Sequence, residues 1–176
     1  MLYLYMLLVM LILFWLQLLL GCLALHVPLC IAGIFYISVA YSWRYGIFWA
    51  VLAGFSLDLV YDREFLMTTV SFLPAVLFAE YRLRRDAVRL RNCVPAGAVI
   101  ALLGIIPVWA YKIITYPAYT VTIFQNLLPA TIFAVCLNAL FLPFLVMVLD
   151  ETGEKIKLPQ FTKAGKRLIE ERLQYN

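Results

Sequence analysis

The stretch VPLCIAGIFYISVAYSWRYGIFWAVLAGFSLDLVY, running from Val27 to Tyr61, decides the fold. Its only basic interruption is Arg44, and it is far longer than the roughly 17 to 25 apolar residues that cross the hydrocarbon core of a bilayer. It is therefore read as a helical hairpin, His26 to Ser42 and Gly46 to Tyr61, turning at Trp43-Arg44-Tyr45-Gly46; a re-entrant pair is the rival arrangement.

Working outward, four more apolar segments complete the pattern: Leu2 to Gly21, Phe65 to Tyr81, Val94 to Tyr111 and Phe124 to Leu149. With 65% apolar residues and a mean hydropathy of +0.94, the chain lies far from a soluble domain, in which about half the residues are apolar. The expected class is an all-α integral membrane protein, a six-span helical bundle over residues 1–150 with a basic tail over 151–176. Sheet structure is not expected, because a helix satisfies its own backbone in lipid.

Charge gives the expected orientation. Arg44, the linker bases Arg82, Arg84, Arg85, Arg89 and Arg91, and the tail bases Lys155, Lys157, Lys163, Lys166, Arg167 and Arg172 fall on one side, and only Arg63 and Lys112 fall opposite. That bias predicts both termini in the cytoplasm of a multi-pass protein. The net charge of +4 then reports orientation and attraction to anionic lipids, not nucleic-acid binding. Leu19-Leu20-Gly21-Cys22 loosely resembles a lipoprotein-processing box, but no basic region precedes the first apolar run, so that run is expected to stay attached. Of the four cysteines, Cys22 and Cys30 flank one outer turn; buried free thiols are favoured over a disulfide, and no metal-ligand spacing occurs.

The outer loops are short: the turn near His26 to Pro28, the stretch Tyr61 to Glu64, and a connection of about a dozen residues after Tyr111. The cytoplasmic material is richer, comprising the linker Arg82 to Asn92 and the tail, where Thr162 could cap an amphipathic helix from Lys163 to about Gln174. That helix would lie on anionic lipid or dock a partner.

Candidate chemistry is sparse. His26 is the only histidine, Ser38, Ser56 and Ser71 have no obvious base, and Asp62 and Glu64 simply flank Arg63. Gly46, Gly54, Gly97 and Gly104 lie within expected helices and form no phosphate loop. No catalytic, cofactor-binding or metal-binding residue is assigned, and a noncatalytic protein is expected.

The third span carries the clearest pattern: Gly46, Ala50, Gly54 and Asp58 recur every four residues and share one face. Such a small-residue ridge either packs within the chain or receives a partner's transmembrane helix. Similar stripes are Gly97, Ala101 and Gly104 in the fifth span, and Ala130, Ala134 and Asn138 in the sixth. Asp58 sits near the outer, negative end of its helix dipole and requires a hydrogen-bonding or cationic partner, with Arg63, Lys112 and His26 as candidates, unless it reaches water. Asn138, near mid-span, is expected to make an interhelical hydrogen bond. Pro74 and Pro107 free backbone carbonyls that could bend a helix or shape a cavity.

In size, span count, Pro28 at the second span and the run Gly54-Phe55-Ser56-Leu57-Asp58-Leu59, the chain resembles the rod shape-determining protein MreD family, whose third span carries a Gly-x-x-x-Asp-Leu signature. Specific likeness runs from about Pro28 to Leu83. After Asp58 the chain departs from the family, with Val60-Tyr61-Asp62-Arg63-Glu64-Phe65 where a glycine-containing turn is usual. The resemblance implies a scaffold subunit of the cell-elongation machinery that binds MreC and helps link the MreB filament to peptidoglycan synthesis by a RodA-type glycosyltransferase and its penicillin-binding transpeptidase. The competing expectation is a substrate-binding S component of an energy-coupling-factor vitamin transporter, whose fold is related in outline. That reading calls for a substantial outward pocket with convergent polar side chains, and outer loops this short are expected to be too small to cap one.

Overall fold

Leu2–Cys22 forms α1, an uninterrupted apolar helix that ends where the described chain pauses. The computed structural model describes residues 2–22, 27–62, 66–84, 92–116 and 120–164. Five further helices follow: α2 (Leu29–Ala40), α3 (Trp43–Val60), α4 (Met67–Arg84), α5 (Cys93–Thr115) and α6 (Thr120–Lys155), with a helical turn at 161–164. The described residues are all helix, turn and coil. Helices α1, α5 and the Leu127–Lys155 part of α6 are long and apolar enough to cross a membrane, which makes this a helical, multi-pass membrane protein.

Helix α2 is the axis of the bundle. All twelve of its residues are buried, and α1, α3, α4, α5 and α6 all pack against it. At 1.5 Å per residue it is only about 18 Å long, too short to cross a hydrocarbon core of about 30 Å. Because protein surrounds it, its ends need not reach the bilayer surfaces; non-helical backbone is tolerated where it is enclosed by protein.

The hairpin turn comes earlier in the chain than the sequence pattern placed it. Tyr41 and Ser42 make the turn, and Trp43 to Gly46 form the first turn of α3. The reason is a local cap: Ser42 is extended and its hydroxyl accepts the Arg44 N–H at 3.4 Å. The last two helices also overrun their expected ends. Helix α5 continues to Thr115 and α6 begins at Thr120, so the outer connection expected to span about a dozen residues shrinks to residues 116–119. At its far end α6 passes residue 150 and stops at Lys155. Pro74 and Pro107 lie inside α4 and α5, and Pro129 and Pro143 inside α6, without ending any of them.

Successive helices alternate in direction, so the bundle has two chemically distinct ends. Tyr3, Tyr45, Arg82, Asn92 and Asp150 lie at one; Gln17, Pro28, Tyr61, Thr68 and Lys112 lie at the other. The core between them is apolar and continuous, running from Met6 and Met10 through α2 to Ala53, Leu57, Phe72 and Ile100.

Candidate functional site

Asp58 is buried near the C-terminal end of α3, and among the described residues its hydrogen-bond partner is Thr68 of α4. Both carboxylate oxygens accept the Thr68 backbone N–H at 3.1 Å, and the Thr68 hydroxyl donates to Oδ1. Thr68 is the second residue of α4, where backbone N–H groups lack intrahelical acceptors and the helix dipole favours negative charge. Asp58 thus closes the α3–α4 hairpin by capping the next helix. Among the described residues Lys112 forms no ion pair with it, and Arg63 and His26 lie outside those residues.

The ridge of α3 is closed by the chain itself. Ala50 is fully buried, a Cβ at Gly46 would meet the Ser38 side chain of α2, and a Cβ at Gly54 would come within 2.6 Å of Thr69 Cα in α4. Gly46, Ala50, Gly54 and Asp58 therefore form an intramolecular seam, and the groove expected to receive a partner helix is filled by α2 and α4. Along α5, Gly97, Ala101 and Gly104 are buried as the stripe predicted; a Cβ at Gly97 would lie 2.4 Å from the Asn138 carbonyl oxygen of α6. On α6 Ala134 and Asn138 are buried, whereas Ala130 is exposed.

Asn138 differs from expectation. Its amide nitrogen donates to the Ala134 carbonyl of its own helix at 3.1 Å, and Oδ1 has no hydrogen-bond partner among the described residues. Close backbone approach at Gly97 leaves little room there for a side chain from α5 to reach it. A polar link between α5 and α6 is made by Trp109 Nε1 donating to Thr131 Oγ1 at 3.0 Å. Cys22, Cys30, Cys93 and Cys136 are free thiols, Cys22 exposed and Cys30 buried.

Two polar constellations went unrecognised in the sequence. The first is Asp150. Its Oδ1 accepts from the Tyr36 hydroxyl at 2.9 Å and the Phe161 N–H at 2.8 Å; its Oδ2 accepts from the Thr162 N–H at 3.0 Å and the Thr162 hydroxyl at 2.8 Å. Asp150 thereby caps the turn at 161–164, a role the sequence pattern gave to Thr162. The expected helix beyond residue 164 lies outside the described residues. Phe161, buried, stacks on Tyr36 with ring centroids 5.8 Å apart, and Lys163 pairs with Glu154 at 3.5 Å. Nearby, Tyr41 keeps a buried hydroxyl without a partner among the described residues, and burial pushes its phenol well above the usual range.

The second constellation is a cavity of about 450 Å³ at the opposite end, between the ends of α1 to α4 and the facing stretches of α5 and α6. Gln17, Phe72, Trp109 and Thr131 contribute to its wall, and Asp62 and Lys112 border it as exposed charges. Gln17 is 8% exposed, and its Oε1 accepts the Cys30 N–H at 2.8 Å, capping α2 behind Pro28, whose side chain offers no cap. Among the described residues, no three His, Cys, Asp or Glu side chains gather as a metal site would require.

No family model matches the chain, and neither a curated protein nor a solved structure is similar enough to match it.

Proposed function

We propose that the chain is a noncatalytic scaffold subunit of the bacterial cell-elongation complex, held in the cytoplasmic membrane as a six-span bundle with both termini inside. In this reading it binds MreC and helps link the MreB filament to a RodA-type glycosyltransferase and its penicillin-binding transpeptidase. The observation that carries the proposal is the use made of Gly54-Phe55-Ser56-Leu57-Asp58-Leu59: glycine admits Thr69 of α4 and the carboxylate caps α4, so the signature-like residues fasten a hairpin, as suits a scaffold. The distribution of charge supports the orientation, with Arg44, Arg82, Lys155, Lys157 and Lys163 toward the Asp150 end and Lys112 at the other. With the α3 ridge closed, a partner helix must meet an outward apolar face, such as Leu4, Leu8, Leu11 and Trp15 of α1.

A second reading, the S component of a vitamin transporter, gains from the cavity, which supplies the outward pocket that such a subunit needs. Crosslinked purification from the native membrane separates the two. Recovery of MreC and elongation proteins supports the scaffold; recovery of a transporter's ATPase subunits with no MreC overturns it.

A further inference from the structure

The cavity beside Gln17 combines features that packing alone leaves unexplained. Gln17 lines the cavity and is almost wholly buried as a residue; its Oε1 is committed to the Cys30 N–H, and no hydrogen bond to another described residue engages its amide nitrogen. A primary amide has two N–H donors, so an occupant carrying an acceptor oxygen can bond to it. At the mouth stand two opposite charges, Asp62 and Lys112, which are paired neither with each other nor with another described group. Phe72 and Trp109 give the interior aromatic faces, and Trp109 is held by its bond to Thr131 and by edge contact with Phe124, centroids 5.1 Å apart. A volume of about 450 Å³ falls within the range of small-molecule sites.

We propose that this cavity binds a small zwitterion with an apolar body, whose carbonyl oxygen takes the free Gln17 N–H, whose anionic group faces Lys112 and whose ammonium faces Asp62. Two sources share that chemistry. One is a zwitterionic phospholipid, with ester carbonyl, phosphate and ammonium on an acyl chain; the other is a free apolar dipeptide, with amide carbonyl, carboxylate and ammonium. The inference needs neither the scaffold nor the transporter reading, because it stands on the cavity's own groups.

The test uses the full chain in detergent with three probes: lysophosphatidylethanolamine, lysophosphatidylglycerol, which lacks the ammonium, and the dipeptide Phe-Leu. Binding is followed by the shift in thermal unfolding and by native mass spectrometry. Saturable binding of lysophosphatidylethanolamine or of Phe-Leu is expected, and which of them binds identifies the source. Gln17→Glu keeps an acceptor for Cys30 while deleting the amide donor, and is expected to weaken binding at least tenfold. Lys112→Ala removes an exposed cation and is expected to do the same while folding normally. Failure of both zwitterions to bind overturns the proposal, as does lysophosphatidylglycerol binding equal to that of the zwitterionic lipid, or unchanged affinity in both variants.

Discussion

Asp58 shows how one carboxylate near a helix end is held by the start of the next helix. Its two oxygens hold the Thr68 N–H and hydroxyl, so removing it strands the donors of a buried helix start. Losing an N-cap costs about 0.5–2 kcal/mol, and hydrogen bonds to a charged group are worth about 1.5–3 kcal/mol. Asp58→Ala is therefore expected to lose about 2–3 kcal/mol in thermal unfolding. Asp58→Asn, which keeps one acceptor, should lose about half as much, and Lys112→Ala nothing. Equal losses in the two Asp58 variants would remove the cap from the account; a loss in Lys112→Ala would restore the ion pair. A pair of glycines makes a second comparison at this scale. Gly54→Ala drives a methyl to 2.6 Å from the Thr69 backbone and should destabilise by about 1–3 kcal/mol. Gly153→Ala meets nothing closer than Leu158 Cβ at 4.0 Å, and should gain about 0.5–1 kcal/mol from helix propensity. Similar stability of the two variants would show that α3 and α4 do not approach as closely as described.

Between neighbouring elements, the recurring device is a cap supplied from elsewhere in the fold. Gln17 of α1 caps α2, Asp58 of α3 caps α4, and Asp150 of α6 caps the turn at 161–164; Ser42, by contrast, caps its own helix from the preceding position. Helix ends are otherwise closed by backbone. Helix α6 stops in a Schellman turn, with the Leu158 N–H on the Gly153 carbonyl at 2.8 Å, the Lys157 N–H on the Glu154 carbonyl at 3.1 Å, and Lys157 at φ 59. Non-glycine residues pay for that conformation, so Lys157→Gly should stabilise by about 0.5–1 kcal/mol and Lys157→Val should destabilise. Unfolding midpoints that move the same way would refute the turn. Asp62, φ 46, holds the corresponding place after α3, which accounts for the missing glycine: aspartate tolerates the left-handed region better than most residues. Helix positions were legible in the sequence because hydropathy reports spans directly. Cross-helix caps were not, since a cap rule inspects only the residues just before a helix, and those before α2 and α4 are Pro28 and Leu66. The small-residue ridge was legible as a packing surface, but a one-dimensional pattern cannot tell whether a neighbouring helix of the same chain already fills it.

For the molecule as a whole, the short, enclosed α2 explains how a chain with an interior helix of about 18 Å still fits a bilayer. The longer helices meet lipid, and their outward faces carry the apolar side chains Leu7, Leu11 and Trp15 of α1 and Leu140, Phe144 and Met147 of α6. Lipid contact leaves the direction of insertion open, so charge must set it. Under the proposed orientation the end bearing Arg44, Arg82, Lys155 and Lys157 stays in the cytoplasm, and Asp150 with Phe161 fastens the chain back onto that same end. In cells expressing a variant whose four native cysteines are replaced, Lys112→Cys is expected to react with a membrane-impermeant maleimide from outside. Lys155→Cys should react only after the membrane is opened. The reverse pattern would invert the bundle, and would move the cavity beside Gln17 to the cytoplasmic face. Labelling of both from outside would mean that an even number of crossings separates the two residues, where the alternation of helices puts the single crossing of α6 between them.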